Sequence, residues 1–443
     1  MTNFADKTVW TGDNLDILRG LNSASVDLIY LDPPFNSNRN YAAPLGSAAA
    51  GAAFKDTWTL SDLDVAWMGL IADQHPAIYR VLDTAGLFHG KGMQSYLCMM
   101  AVRLLEMRRV MNDTASIYLH CDPTASHYLK LLMDAVFGAE LFLNEMSWKR
   151  SSAHSDTRQG MRRAGKIRDV LLVYTKTRDY VWNSQYMPYT EDYLETEYRH
   201  VAPDGRRYKE TDATAAKPGG DTEYQWHVKR PVGEKVRWSA DLTDEHLDPQ
   251  PGWEYRAVIP YRGRYWADSK ANLSVFWNEG RLVHRETGMP RLMQFSEDMP
   301  GVPLQDLWDD IPPVLGNERI GYPTQKPLAL LERIIRASSN EGQMVLDPFC
   351  GCATACVAAD NLGRRWLGID ISPKAVELVN LRLRQSMGEL FHNRLVTART
   401  DIPRRTDIDA PVPYRQNKHV LFGQQEGRCR GCRSPFEFRH LEV

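Results

Sequence analysis

The stretch Ser25–Asn36, an apolar run stopped by an acid, two prolines and an aromatic, constrains the fold of this 443-residue chain more than any other. Val26 to Leu31 is short, β-prone and bounded downstream by Pro33 and Pro34, so it reads as a buried strand ending at a rigid loop. Asp32 and Phe35 then stand at the carboxyl end of a strand, the edge at which open α/β sheets bind their ligands. A strand that simply runs into a turn is the plainer reading of an isolated Asp-Pro-Pro.

Much of the chain repeats that unit. Thr8–Trp10 reads as a strand and Asp13–Leu18 as a short helix, with Asp13 suited to cap it. Between 92 and 110, Tyr96, Leu97, Met100, Ala101, Leu104, Leu105 and Met107 recur at helical spacing, a core face that implies no cofactor. Strands follow at 115–122, 144–148 and 169–175, with a helix over 127–136. Strands alternating with helices predict an α/β fold on a largely parallel sheet. His120 and Asp122, at one strand end, read as a satisfied polar pair. Residues 36–60, with a Gly/Ala-rich piece from Gly46 to Ala53, read as a mobile loop and a candidate lid, with plain surface disorder as the alternative.

A second strand end completes the pattern. Met344-Val345-Leu346-Asp347 breaks into Pro348-Phe349-Cys350-Gly351-Cys352-Ala353-Thr354-Ala355, and the strand from Trp366 ends at Asp370. A tight turn of small residues lets a ligand reach backbone N–H groups, and an acid ending the next strand is placed for ribose hydroxyls. Upstream, Thr324-Gln325-Lys326-Pro327 leads into a helix over 328–338 with Leu330, Leu331, Ile334 and Ile335 on one face.

These stretches together resemble the DNA methyltransferases that methylate exocyclic amino groups. Asp32-Pro33-Pro34-Phe35 matches their catalytic motif, Asp/Asn/Ser-Pro-Pro-Tyr/Phe/Trp, and residues 347–355 their cofactor motif, Asp-Pro-Phe-x-Gly-Ser-Gly-Thr-Thr. Cys352, Ala353 and Ala355 depart from it, and Ala353 adopts a positive φ less freely than the usual Gly. The catalytic motif precedes the cofactor motif, as in the β group, and the resemblance covers about residues 8–390. It implies an α/β, Rossmann-like S-adenosylmethionine-dependent methyltransferase sheet with an inserted target-recognition region, in a restriction-modification setting. It puts Asp347, Pro348, Phe349, Cys350, Gly351 and Cys352 around the methionine end of S-adenosylmethionine and Asp370 on its ribose. Thr324, Gln325, Lys326 and Pro327 fall beside the cofactor, and Asp13 at the pocket edge.

Chemistry accounts for the catalytic residue types. An exocyclic amine is a poor nucleophile because its lone pair is delocalised into the ring, so the site must accept both N–H hydrogens. The Asp32 carboxylate and the Pro33 carbonyl are the assigned acceptors, aimed at charge that develops in the transition state. Pro33 and Pro34 fix φ and remove competing donors. Phe35 stacks on the base once it has left the duplex. Within the resembled family, Asp at the first motif position favours adenine N6. Cytosine N4 is the alternative, followed by an RNA methyltransferase or an inactive DNA-binding homologue. Carbon-5 cytosine methylation is rejected, because it needs a cysteine nucleophile after proline and the chain has no Pro-Cys pair.

With a formal net charge of only −2, double-stranded DNA must be met by a local basic surface. Residues 149–168 hold seven Lys/Arg and one Asp, and Lys149, Arg150, Arg158, Arg162, Arg163, Lys166 and Arg168 are the expected phosphate track. The expected domains are a catalytic half at 1–180, a target-recognition insert at 181–300, a cofactor-binding half at 301–393 and a polar linker at 394–419. Trp226-His227-Val228-Lys229-Arg230, Arg237-Trp238 and Tyr261–Trp266 give the insert its interleaved aromatics and bases, which serve recognition or ordinary packing. The tail, 420–443, resembles the start of an HNH nuclease module. Cys429 and Cys432 are half a tetrahedral zinc site, which predicts weak metal binding and no nuclease activity for this chain. No run approaches eighteen apolar residues and the N-terminus lacks a signal pattern, so no membrane is expected and the location reads as cytoplasmic. Seven cysteines without framework spacing read as reduced thiols, and a homodimer is left open.

Overall fold

The run from Leu28 to Leu31 is buried on both faces because its strand lies in the middle of a sheet. The computed structural model describes residues 2–35, 39–44, 46–50, 53–56, 62–151, 162, 164–220, 222–387 and 396–407. Its strands are β1 (Thr8–Thr11), β2 (Val26–Leu31), β3 (Arg39–Ala42), β4 (Ala53–Asp56), β5 (Met111–Cys121), β6 (Phe142–Lys149) and β7 (Arg168–Thr175), followed after an insert by β8 (Leu307–Trp308), β9 (Met344–Asp347), β10 (Arg365–Asp370) and β11 (Thr397–Arg399). Nine of them form one sheet in the order β8-β6-β7-β5-β2-β9-β10-β1-β11. Only β7 runs against its neighbours; every other pairing in this sheet is parallel.

The helices of this part are α1 (Asn14–Gly20), α2 (Asp62–Gln74), α3 (Pro76–Val110), α4 (Ser126–Phe137), α5 (Leu328–Ser338), α6 (Thr354–Asn361) and α7 (Lys374–Met387). The expected faces are buried: Tyr96, Leu97, Met100 and Leu104 on α3, and Leu330, Leu331, Ile334 and Ile335 on α5. The α3 run begins at Pro76 rather than at 92, and a non-helical Gly90 (φ 78°) splits it. No described helix is long and apolar enough to cross a membrane.

Two expectations change. Within 36–60, β3 and β4 pair as an antiparallel hairpin, and Ala49 is buried in a cluster with Ile320, Cys352 and Leu378, so part of the expected loop is ordered by backbone pairing and by packing. The rest of that stretch, at 36–38, 45, 51–52 and 57–60, lies outside the described residues. The expected linker at 394–419 contains β11, which adds to β1, and residues 403–407, which pack along the α1 end. Its polar composition hid this because part of the attachment is made by the segment's main-chain groups: Thr397 N–H donates to the Lys7 carbonyl (2.9 Å), and the Asn3 side chain donates to the Arg404 carbonyl (2.7 Å). Cys429 and Cys432 lie outside the described residues.

The chain divides into two units, Met1–Asn183 with Asp306–Val443, and Ser184–Gln305. The second is built of small antiparallel sheets, including Trp226–Pro231 between Ser239–Ala240 and Trp253–Val258. Trp226, Trp238 and Trp266 are its core, so these three aromatics serve packing, whereas Trp253 and Tyr261 are exposed.

Candidate active site

β1, β2, β9 and β10 run parallel, so their carboxyl ends open on one edge. The turns that follow them, Gly12–Asn14, Asp32–Phe35, Asp347–Cys352 and Asp370–Ser372, line one cavity of about 460 Å³. Residues more than three hundred positions apart meet there because parallel strands send each chain excursion back to the same edge.

From β2 comes Asp32. Its Oδ2 pairs with the Lys326 ammonium, while its Oδ1 is buried and takes no hydrogen bond from the described residues. Phe35 stacks on His120 with ring centroids 6.1 Å apart and planes 24° from parallel. His120 itself is fully buried, its Nδ1 2.9 Å from the Tyr30 hydroxyl and its Nε2 3.2 Å from Asp169 Oδ2. The expected His120–Asp122 pair is thus replaced. Antiparallel β7 sets Leu171 opposite His120 and brings Asp169 within reach, whereas Asp122 accepts from the Thr124 N–H (2.8 Å) and hydroxyl (2.9 Å). Burial works to raise the Asp169 carboxyl, but the His120 hydrogen bond and the Lys326 and Arg150 charges leave it below its ordinary value.

From β9 and β10 come two more acids. Burial pushes the Asp347 carboxyl well above the carboxylate range, with Asp32 and Asp370 adding to the effect and the Phe349 N–H (3.1 Å) opposing it. Asp370 is also raised by burial, although the Gly351 and Ser372 N–H groups, each 2.8 Å away, pull the other way. Asp370 therefore pins the turn after β9 as well as lining the cavity. In that turn Gly351 has φ +51°, and a Cβ there would meet the Tyr322 hydroxyl at 2.9 Å. Ala353 takes the same left-handed region (φ +57°) despite its methyl group, at a cost of about 1 kcal/mol relative to Gly.

Asp13 does what its position suggests and more: it accepts from the Leu15 N–H (2.9 Å) to cap α1, pairs with Arg103 (2.8 Å) and lines the cavity rim. Thr324 and Lys326 line the cavity; Gln325 and Pro327 do not. Gln325 instead accepts from the Ile320 N–H (3.1 Å) and donates to the Glu318 carbonyl (2.7 Å), and Pro327 precedes α5 as its cap. Of the seven basic residues, Lys149, Arg162 and Lys166 are exposed, Arg150 pairs with Asp169 at 3.2 Å, and Arg168 reaches Ser147 (2.7 Å) and Glu145 (3.6 Å). Arg158 and Arg163 lie outside the described residues.

The sequence pattern of the N6/N4 DNA methylase family matches residues 26–381. The chain belongs to that family. The type II methyltransferase M.EcaI of Enterobacter cloacae is 27% identical over 333 residues, 74% of this chain and 66% of that protein. The StyLTI Mod subunit, a type III restriction-modification enzyme of Salmonella typhimurium, is 26% identical over 79% of this chain and 49% of its own length. The DNA adenine methyltransferase YhdJ of Escherichia coli is 39% identical over 160 residues, 34% of this chain and 52% of that protein. The matched part thus spans 49% to 66% of the length of these relatives.

In this member of the family the cavity also draws on residues that motif reading passed over. Tyr30, Arg103 and Tyr322 line it, as do Ile371 and Leu378. Arg103 had a readable signal, a charge set among the buried apolar residues of α3. It is held by Asn14 Oδ1 (2.6 Å), whose amide in turn donates to the Pro348 carbonyl (2.7 Å), tying α3 to the start of α1 and to the turn after β9.

Proposed function

We propose that the chain is a DNA amino-methyltransferase that methylates the exocyclic amine of a flipped base, adenine N6 in preference to cytosine N4. One observation carries the reading: the Asp32–Phe35 turn and the Asp347–Cys352 turn line the same cavity. The residues present fit S-adenosylmethionine, which when bound supplies an electrophilic methyl group. Asp370 stands at a strand end for ribose hydroxyls, Phe349, Ile371 and Leu378 offer apolar walls, and Gly351 leaves its backbone open to close approach.

The unpartnered Asp32 Oδ1 and the Pro33 carbonyl accept the two amine hydrogens, which favours a pyramidal nitrogen with an available lone pair. Phe35, backed by His120, gives the base a stacking surface. The exposed Lys149, Arg162 and Lys166 neutralise phosphates of double-stranded DNA, and the Ser184–Gln305 unit selects the sequence. Asp at the first motif position supports adenine, as does the likeness to the adenine methyltransferase YhdJ.

Mass spectrometry of nucleosides from DNA treated with the protein and S-adenosylmethionine tests this. N6-methyladenine is the expected product; N4-methylcytosine alone reverses the choice of base. Asp32→Ala should lower the single-turnover rate by about a hundredfold or more while leaving cofactor binding in place. Methylation at the parental rate would remove Asp32 from the mechanism.

A further inference from the structure

The Thr324-Gln325-Lys326-Pro327 segment aims its lysine at the acid rather than at the turn that binds the cofactor. Lys326 is 7% exposed; its Nζ pairs with Asp32 Oδ2 and lies 5.3 Å from the Phe35 ring centroid and 3.4 Å from the Thr324 carbonyl oxygen. Each neighbour serves that placement. Thr324 has φ +65°, a conformation a β-branched residue keeps only when its surroundings impose it. Gln325 staples the turn to Glu318 and Ile320, Pro327 starts α5, and the Thr354 hydroxyl donates to the Lys326 carbonyl at 3.3 Å.

Building on the methyl-transfer reading, we propose that Lys326 is a positioning residue for Asp32, fixing Oδ2 so that Oδ1 alone is presented to the target amine. The amine has two hydrogens, one for Oδ1 and one for the Pro33 carbonyl, so the second carboxylate oxygen is free to be held. Holding it stops the carboxylate from rotating. Around Asp32 stand Tyr30 on β2, Cys121 ending β5, Asp347 and Cys352 after β9, and Tyr322 and Lys326 before α5. In that company Lys326 supplies a positive charge beside the part-buried Asp32 and the buried Asp347. Without it Oδ2 loses its partner, and the carboxylate is free to turn Oδ1 away from the amine.

The experiment compares the parent with Lys326→Met, Lys326→Gln and Lys326→Arg in three measurements. These are the rate of single-turnover DNA methylation at saturating S-adenosylmethionine, the cofactor Kd by calorimetry, and the carbon-13 chemical shift of the Asp32 carboxyl at neutral pH, assigned by its loss in Asp32→Asn. In both neutral variants the single-turnover rate should fall about tenfold or more and the Asp32 carboxyl signal should leave its parental position, with the cofactor Kd unchanged. Lys326→Arg should restore most of the parental rate. A weakened cofactor Kd with parental rate at saturation would assign Lys326 to the cofactor and overturn the proposal, as would an unchanged Asp32 carboxyl signal. If the parent methylates no DNA yet the Asp32 carboxyl signal still moves in the variants, the pairing stands and the methyl-transfer reading is what fails.

Discussion

His284 is buried in the Ser184–Gln305 unit with both ring nitrogens committed. Nε2 accepts the Trp226 indole N–H (2.9 Å), and Nδ1 faces the Trp238 carbonyl oxygen (2.9 Å), so the neutral ring carries its hydrogen on Nδ1. A second proton on Nε2 would oppose the Trp226 donor. Burial accordingly lowers its pKa to about 4. Below the ordinary histidine value of about 6.5, the unfolded chain binds a proton that the native ring refuses, so stability falls as pH drops. The loss runs at about 1.4 kcal/mol per pH unit and ends near pH 4, where the native ring protonates too, for a total of about 3 kcal/mol. Urea unfolding followed by tryptophan fluorescence between neutral and acid pH should show this slope in the parent and a shallower one in His284→Gln. Equal slopes would sink the assignment.

At the scale of elements, the α1 terminus and the segment after β11 depend on a missing side chain. Gly20 ends α1, and a Cβ built there would lie 2.0 Å from the Pro403 carbonyl oxygen, a main-chain atom with little freedom to yield. The segment is otherwise held by Asn22 to Thr406 (2.8 Å) and by the Ser23 N–H to Asp407 (2.8 Å). Gly20→Ala should therefore cost about 1–3 kcal/mol, seen as a lower Tm and as faster proteolysis within 396–407. In a chain truncated before Thr397 the same substitution should be neutral or slightly stabilising, because alanine favours the helix. A full-length Gly20→Ala protein with the parental Tm would contradict the contact.

For the molecule as a whole, a net charge of −2 means that the proposed DNA partner must be met by a local basic surface. Arg162 and Lys166 are exposed, whereas Arg150 and Arg168 carry acidic partners within the protein. Replacing Arg162 and Lys166 by Glu should weaken binding to every duplex alike and lower the slope of log K against log salt by about two. Loss confined to one sequence would instead place these residues in base recognition. Arg150 is a poorer target for the same test, since its substitution also disturbs the Asp169–His120 pair behind Phe35.

The two strand-end motifs were legible because their signals are local. An apolar run ending at Asp32-Pro33-Pro34 can only be a buried strand entering a rigid turn, and the small residues after Asp347 declare a close backbone approach in the same way. The α5 face was equally plain, since a period of 3.6 is written in consecutive letters. What stayed hidden depends on partners far away along the chain. Lys326 sits 294 positions from Asp32, and Asp169 reaches His120 only through the register of antiparallel β7. Thr397–Arg399 becomes a strand because β1 has an open edge to receive it, a fact absent from its own polar composition. Spacing reveals which face a side chain takes; pairing across a sheet, and the charge balance of a cavity, exist only once the strands have been brought side by side.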